Sequence, residues 1–389
     1  MNILMISDVY FPRVNGVSTS IQTFRRELAA LGCATTLIAP DYPAAYPREA
    51  GIERMPSRFV PLDPEDRMMK SAPIRALTPR LGGAGFDLVH VQTPFVAHYR
   101  GTELARRLGI PCIETYHTFF EEYLFHYVPL LPREWLRAAA RRFSRAQGNS
   151  VDALVVPSPA MRDVLAGYGV TSPLHVIPTG IPLTRFTGGD GPAFRRRLGL
   201  AADTPVLLFV GRVAHEKNIG FLLRAFRLAL EHHPSARLVI AGEGPALGGL
   251  RKLAAELAVA ARVHFVGYLD RGGELLDCYR AADAFVFASR TETQGLVLLE
   301  AMALGVPVIS TAVMGTRDIV GPARGALVPE DDESAFAAAM VRMIGDPELR
   351  RRLSVEAREF ANEWRAETPA RRLATLYAEI VRAGRRPGS

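Results

Sequence analysis

The amino-acid sequence predicts an α/β protein of two similar domains, each a parallel sheet alternating with helices. Short apolar runs of strand type alternate with helix-like stretches from residue 3 to about residue 180. The alternation pauses over a Gly- and Pro-rich segment, Ile181–Asp203, the best linker candidate, and then restarts. From Asp332 to Arg382 the chain reads as helical, with breaks near Asp346-Pro347 and Thr368-Pro369.

Taken in order, Ile3–Ile6 reads as the first strand and Val17–Leu31 as the first helix, stopped by Gly32. Further strands are expected at Thr35–Ala39, Leu88–Val91, Cys112–Thr115, Ala153–Val156 and Leu174–Ile177. Helices are expected at Val96–Leu108, Arg133–Gln147 and Pro159–Tyr168. After the linker candidate come strands Val206–Val210, Leu238–Ala241, Val263–Val266, Ala284–Phe287 and Val306–Ser310. Between them lie helices near Ile219–His232, Ala246–Ala260 and Leu296–Leu304, the last closed by Gly305 and Pro307.

The 389 residues suffice for two domains with ample core, and 48% hydrophobic with 22% charged residues is a globular composition. No apolar run approaches the roughly 18 residues needed to cross a bilayer. The N-terminus lacks a basic leader and a small-residue cleavage site and reads as a strand. Cys33, Cys112 and Cys278 are odd in number and lack metal spacing, as expected of reduced thiols in the cytoplasm. The net charge of +7 is modest for this length, and no stacking-aromatic platform or recognition helix points to nucleic acid.

The densest chemistry lies between Ser289 and Ala303. Glu292 sits in a polar loop after a strand and Glu300 in the following helix, with Gln294, Gly295 and Leu296 where the helix opens. Ligands of open parallel sheets bind outside the strands' carboxyl ends, and the free N–H groups of a helix start can receive an anion. The alternative is a solvated loop with an exposed helical glutamate. Arg212 and Lys217 follow another strand within Gly211–Asn218, where two fixed cations can neutralise a diphosphate and the charge that grows as it departs. Two surface cations on a solvated loop is the competing reading, and His215 between them reads as structural or solvent-facing.

Gly242-Glu243-Gly244-Pro245 occupies a further turn, where glycine permits close approach of a ligand to the backbone. It is not a dinucleotide fingerprint, which disfavours an NAD oxidoreductase. In the first half, Gly16 lies in the turn Asp8–Ser18 and feeds a helix start. His117, in a run of His, acids and aromatics from Glu114 to Tyr127, could hydrogen-bond a substrate hydroxyl or phosphate, or be a satisfied core histidine. No D-x-D pair and no zinc-type spacing occurs, so a bound metal is not expected.

Residues 133–145 hold Arg133, Arg137, Arg141, Arg142 and Arg145 against Glu134, interleaved with Trp135, Leu136 and Phe143 and preceded by Leu130 and Leu131. This composition suits an amphipathic helix on anionic lipid, or a basic solvated helix packed by its apolar side. A second basic stretch runs from Arg67 and Lys70 to Arg75 and Arg80, expected in a loop.

Taken together, these motifs resemble the retaining glycosyltransferases of the GT-B fold, family 4 (group 1), over essentially the full length. The Gly211-Arg212…Lys217 loop looks like that family's diphosphate loop, and Glu292 and Glu300 match its E-x7-E signature. The resemblance implies two Rossmann-like domains facing across a cleft: 1–182 for the acceptor and 183–364 for the nucleotide sugar. A C-terminal helix, about 365–389, would cross back onto the first domain.

The resemblance also implies roles. Arg212 and Lys217 would bind the diphosphate, Glu300 the ribose, and Glu292 the donor sugar, with the amides near Gln294, Gly295 and Leu296 contacting sugar and phosphate. Gly16 would let backbone approach the phosphate, and His117 would bind the sugar near its C6 hydroxyl. No cofactor and no metal would be needed beyond the nucleotide-sugar substrate. The segments Pro12–Val17, Tyr116–Tyr123 and Thr291–Gly295 look like the bacterial diacylglycerol glucosyltransferases. Glucose from UDP-glucose and a lipid acceptor at the inner membrane face are therefore expected, against a GDP-mannose or other nucleotide-sugar transferase with a phospholipid or soluble acceptor.

Overall fold

A computed structural model describes residues 1–43, 49–60, 63–117 and 132–384, without the side chains of residues 60, 63–66 and 133. The chain divides into two units: Met1–Gly180 with Ala366–Ser389, and Ile181–Arg365.

Unit 1 opens with β1 (Asn2–Ile6), α1 (Gly16–Ala30) and β2 (Ala34–Pro40). β3 (Ile52–Met55), β4 (Ser57–Val60), β5 (Asp63–Met69), α2 (Ser71–Ala76) and α3 (Thr78–Gly82) follow. Then come β6 (Leu88–Val91), α4 (Val96–Leu108), β7 (Cys112–Thr115), α5 (Arg133–Gly148), β8 (Ala153–Val156), α6 (Pro159–Gly167) and β9 (Leu174–Val176). Seven strands form a parallel sheet in the order β3-β2-β1-β6-β7-β8-β9. The order reverses beside β1, so the crevice between the loops after β1 and β6 is where such a sheet binds ligands.

Asp8 ties those two loops together. Its carboxylate accepts from the Thr93 hydroxyl (2.9 Å) and from the amides of Phe95 (3.2 Å) and Ala97 (3.1 Å), at the start of α4. Burial pushes the Asp8 carboxyl up to about 6, outweighing those hydrogen bonds, which act in the opposite direction. A folded-state pKa raised above the unfolded value contributes stability that is present below about pH 4 and lost as pH rises through about 6. Asp8→Asn cannot titrate. Chemical denaturation from pH 4 to 7 is therefore expected to favour the variant progressively, by about 2 kcal/mol relative to its standing at pH 4. A pH-independent difference would refute the burial argument.

Unit 2 contains α7 (Gly191–Arg197), β10 (Val206–Val210), α8 (Ile219–Ala229), β11 (Arg237–Ala241), α9 (Leu247–Glu256), β12 (Val263–Gly267) and α10 (Glu274–Ala281). It continues with β13 (Ala284–Phe287), α11 (Leu296–Ala303), β14 (Val308–Ser310), α12 (Arg317–Val320), β15 (Ala326–Leu327), α13 (Glu333–Gly345) and α14 (Pro347–Glu363). Its six parallel strands run β12-β11-β10-β13-β14-β15, so this sheet reverses between β10 and β13. Phe209, Phe285 and Phe287 stack in its core, with Phe336 of α13 against Phe221 of α8.

The last helix, α15 (Glu367–Gly384), belongs to unit 1, where Leu373, Leu376, Tyr377 and Val381 join the core. Burying each such side chain contributes about 1.5–3 kcal/mol. The Tyr377 hydroxyl meets His90 Nδ1 at 2.7 Å, and His90 Nε2 meets the Thr115 hydroxyl at 2.7 Å. Burial lowers His90 to about 3, so a neutral imidazole with one donor and one acceptor nitrogen bridges helix and sheet.

Two expectations are corrected. The Gly- and Pro-rich stretch is not an open linker: Asp190 caps α7, accepting from the Ala193 amide (2.8 Å), and Phe194 is buried. Arg195 binds the Ala281 carbonyl (2.9 Å) and Asp283 (2.9 Å), which fastens α7 to unit 2. The basic stretch 67–80 is not a loop either. Arg67 lies on β5 and Met69 is buried; Arg75 lies on α2 and Arg80 on α3, paired with Glu103 (3.3 Å) and Glu53 (2.8 Å).

Candidate active site

β10 and β13 are hydrogen-bonded neighbours at the point where the sheet of unit 2 reverses, so the loops that follow them lie side by side. The loop after β10 turns on Gly211, whose φ of +154° favours glycine, and passes Arg212 and a short 3₁₀ turn at His215–Lys217. It then enters α8 through Asn218, in the left-handed region at φ 54°. The loop after β13 runs from Ala288 to Gly295, whose φ of +94° opens α11.

Three links stitch the loops together. The Ser289 hydroxyl donates to the Glu216 carbonyl (3.2 Å), the Asn218 amide donates to the Ala288 carbonyl (3.1 Å), and the Lys217 ammonium pairs with the Glu292 carboxylate. Lys217 and Glu292 are mostly buried, and Arg212 points its guanidinium toward Glu216 at 4.0 Å. The reading of Arg212 and Lys217 as solvated surface cations is therefore set aside for Lys217, which is mostly buried against an acid.

A third loop, after β14, braces the acidic one. The Gly315 amide donates to the Glu292 carbonyl at 2.9 Å. Gln294 and Gly295 are buried, and Leu296 is half-buried at the helix start. Gly242 and Gly244 also serve the packing of the protein's own loops. A Cβ on Gly242 would strike the Gly211 carbonyl and one on Gly244 the Val213 carbonyl, so these glycines let two loops of the protein itself approach. Backbone bonds from Gly211 to Ala241 (3.0 Å) and from Val213 to Glu243 (2.8 Å) complete that junction.

Glu300 is not an exposed helical acid. It is only 4% exposed; its Oε1 accepts from Arg271 Nη2 at 2.6 Å and its Oε2 from the Tyr279 hydroxyl at 3.0 Å. Two cations and two acids thus line the carboxyl ends of the reversing strands. The cations can neutralise an anion and the charge of a leaving oxyanion, while ionised carboxylates accept hydroxyl protons.

In unit 1, Gly16 is the first residue of α1, after the N-cap Asn15, whose side chain accepts from the Ser18 amide (2.8 Å). A Cβ at Gly16 would meet nothing within 4 Å, so the fold itself does not require this glycine. His117 Nε2 meets Gln92 Oε1 at 3.2 Å, and burial lowers its pKa to about 4, leaving a neutral hydrogen-bonding ring. The aromatic and acidic run from Thr118 to Tyr127 lies outside the described residues, as do Leu130, Leu131 and the side chain of Arg133.

Helix α5 faces inward with Leu136, Ala140 and Ser144, and Phe143 is half-buried, so its apolar side packs on the protein. Arg137 pairs with Glu134 (2.8 Å), and Arg141 lies over the Tyr168 ring (5.6 Å). The outer face presents Trp135, 71% exposed, with Arg142 and Arg145. These fall at helical spacing along one side.

Sequence reasoning missed Asp8, Arg271, Tyr279, Ser289 and Gly315 as determinants of this geometry. Asp8, two residues past β1, and Ser289, just past β13, lie in turns already singled out; the other three left no local signal. Among the described residues no helix is long and apolar enough to cross a membrane, and no group of three His, Cys, Asp or Glu side chains is arranged for a metal.

Doubly wound units with cations and acids near a switch point are suited to binding an anionic ligand, and comparison with known proteins gives the class. The family model "Glycosyl transferases group 1" matches residues 190–360, and "Glycosyltransferase Family 4" matches residues 14–185. The chain is 35% identical over 320 residues to an alpha-monoglucosyldiacylglycerol synthase of Streptococcus pneumoniae, covering 80% of this chain and 71% of that one. It is 31% identical to a GDP-mannose-dependent alpha-mannosyltransferase of Mycolicibacterium smegmatis, covering 94% of each. A sucrose-phosphate synthase structure from Thermosynechococcus elongatus superposes with a TM-score of 0.76 at 25% identity, covering 98% of this chain and 99% of that one. The chain belongs to the family 4 (group 1) glycosyltransferases and has the GT-B fold.

Proposed function

We propose that this glycosyltransferase moves glucose from UDP-glucose to the hydroxyl of a lipid such as diacylglycerol, with retention, at the cytoplasmic membrane face. The observation that carries the reading is the joined pair of loops at the β10/β13 reversal, with Lys217 and Arg212 on one and Glu292 on the other. Lys217 and Arg212 would hold the diphosphate and stabilise the charge it gains as the bond to the sugar breaks. Glu292 would accept from donor-sugar hydroxyls, Glu300 from the ribose, and the amides near Gln294–Leu296 would contact sugar and phosphate. The acceptor oxygen would attack from the face the diphosphate leaves, without an enzyme nucleophile. The two cations supply the charge compensation that metal-dependent transferases draw from a divalent ion, so chelators should not slow the reaction.

The lipid acceptor is supported by the name of the pneumococcal relative and by the outer face of α5. An exposed tryptophan beside arginines suits the headgroup level of an anionic bilayer. The mycolicibacterial relative, matched over nearly its full length, favours a second reading: GDP-mannose as donor, with a phospholipid or soluble acceptor.

The test incubates purified protein and anionic vesicles containing diacylglycerol with UDP-glucose, GDP-mannose and other nucleotide sugars, and reads products by mass spectrometry. A glucosyldiacylglycerol formed equally with and without EDTA is expected; transfer from GDP-mannose alone would replace the reading by the second. Trp135→Ala is expected to lower vesicle co-sedimentation and lipid transfer by roughly tenfold, with UDP affinity unchanged. Unaltered co-sedimentation would remove α5 from the membrane contact.

A further inference from the structure

Glu300 is held by two donors that nothing in the motif announces. Arg271 reaches it from the loop after β12, and Tyr279 from α10, while Glu300 itself lies on α11. Each donor engages a different oxygen, which locks the carboxylate against rotation about its own axis. Tyr279 is fully buried, its ring tilted against Phe285 of β13 at 5.9 Å. Burial raises its pKa well above the ordinary phenol range, so it is a neutral donor. Glu300 in turn raises the pKa of Arg271, which carries its positive charge at any working pH.

An ionised carboxylate offers about four acceptor directions. Arg271 and Tyr279 occupy two of them, one on each oxygen. The remaining two, also one on each oxygen, match a pair of neighbouring hydroxyls. We propose that Arg271 and Tyr279 are positioning residues that aim Glu300 at a vicinal diol, the 2′- and 3′-hydroxyls of a ribonucleotide, and so make the enzyme reject 2′-deoxynucleotide sugars. The proposal rests on the assignment of Glu300 to the ribose.

A merely structural brace for α11 would change stability without changing discrimination between ribose and deoxyribose. The test is therefore calorimetric binding of UDP against 2′-deoxy-UDP, or of GDP against 2′-deoxy-GDP if the wild type binds guanine nucleotides. It is run on wild type, Tyr279→Phe and Arg271→Met. Wild type is expected to prefer the ribonucleotide by roughly tenfold or more, the scale of a lost hydrogen bond to a charged group. In both variants ribonucleotide affinity falls and the preference shrinks to about twofold or less, the deoxy form being little affected. Tyr279→Phe keeps the buried ring and carries the test if Arg271→Met does not fold. Equal binding of both nucleotides by the wild type would overturn the ribose assignment and the proposal with it. Full discrimination retained by the variants would overturn the positioning role alone.

Discussion

Lys217→Ala is expected to lower kcat/KM for sugar transfer by about 10²–10³-fold, the scale of removing one preorganised group aimed at developing negative charge. The unfolding temperature should stay close to wild type, because the Ser289–Glu216 and Asn218–Ala288 hydrogen bonds still join the two loops. The ammonium is paired with Glu292 and mostly buried, so a ligand phosphate arriving there has to share or replace that partner. This gives the pair opposite signatures. Lys217→Ala weakens UDP binding, since it deletes a cation and leaves a carboxylate facing the phosphate. Glu292→Gln strengthens UDP binding several-fold, since it releases the cation, yet it slows transfer by removing an acceptor for the sugar hydroxyls. Steady-state kinetics and UDP titration on both variants check the prediction. A Lys217→Ala enzyme turning over at the wild-type rate would end the assignment, and weaker UDP binding by Glu292→Gln would show that the pair does not compete with phosphate.

How much of this was legible in the sequence depended on whether a role is carried by neighbours along the chain. Gly211–Lys217 and Glu292–Gly295 each follow an apolar strand and precede a helix, so their place at the strand ends could be read directly. Residues 52–82 could not be read in that way. β3 (IERM), β4 (SRFV) and β5 (DPEDRMM) lack a period-two apolar pattern, and pairing with neighbours makes them strands. α7 was hidden by a misread cue: Gly191 and Pro192 resemble a linker but occupy the first turn behind the Asp190 cap, where proline suits a helix. The basic helix was legible as a helix, but which face it buries was not. Leu136 and Phe143 pack inward, whereas Trp135 of the same helix stays out. Arg271 and Tyr279 were invisible because they reach Glu300 only through the fold, 29 and 21 residues away in sequence.

Gly315→Ala is expected to be nearly as damaging as loss of Lys217, although residue 315 carries no chemistry. A Cβ there would land on the Thr293 carbonyl and the Gln294 amide, far inside the 3.0 Å that real Cβ atoms keep. Both obstacles are backbone, so no side-chain rotation can relieve the clash. The same glycine donates its amide to the Glu292 carbonyl, and the preceding Met314 already sits at φ 51°, which leaves the turn little freedom to retreat. Alanine must push the 292–294 loop away from the turn after β14 and carry Glu292 with it. A displacement of about 1 Å at a positioning group costs on the order of 10²-fold in rate. Overpacking costs about 1–3 kcal/mol of stability besides. A bound nucleotide sugar engages that same loop, so saturating UDP should recover less unfolding temperature in the variant than in wild type. Calorimetric melting with and without UDP, together with initial rates, decides the matter. Wild-type rates with an undiminished UDP-induced shift would mean that the acidic loop tolerates the methyl group and that its position does not depend on Gly315.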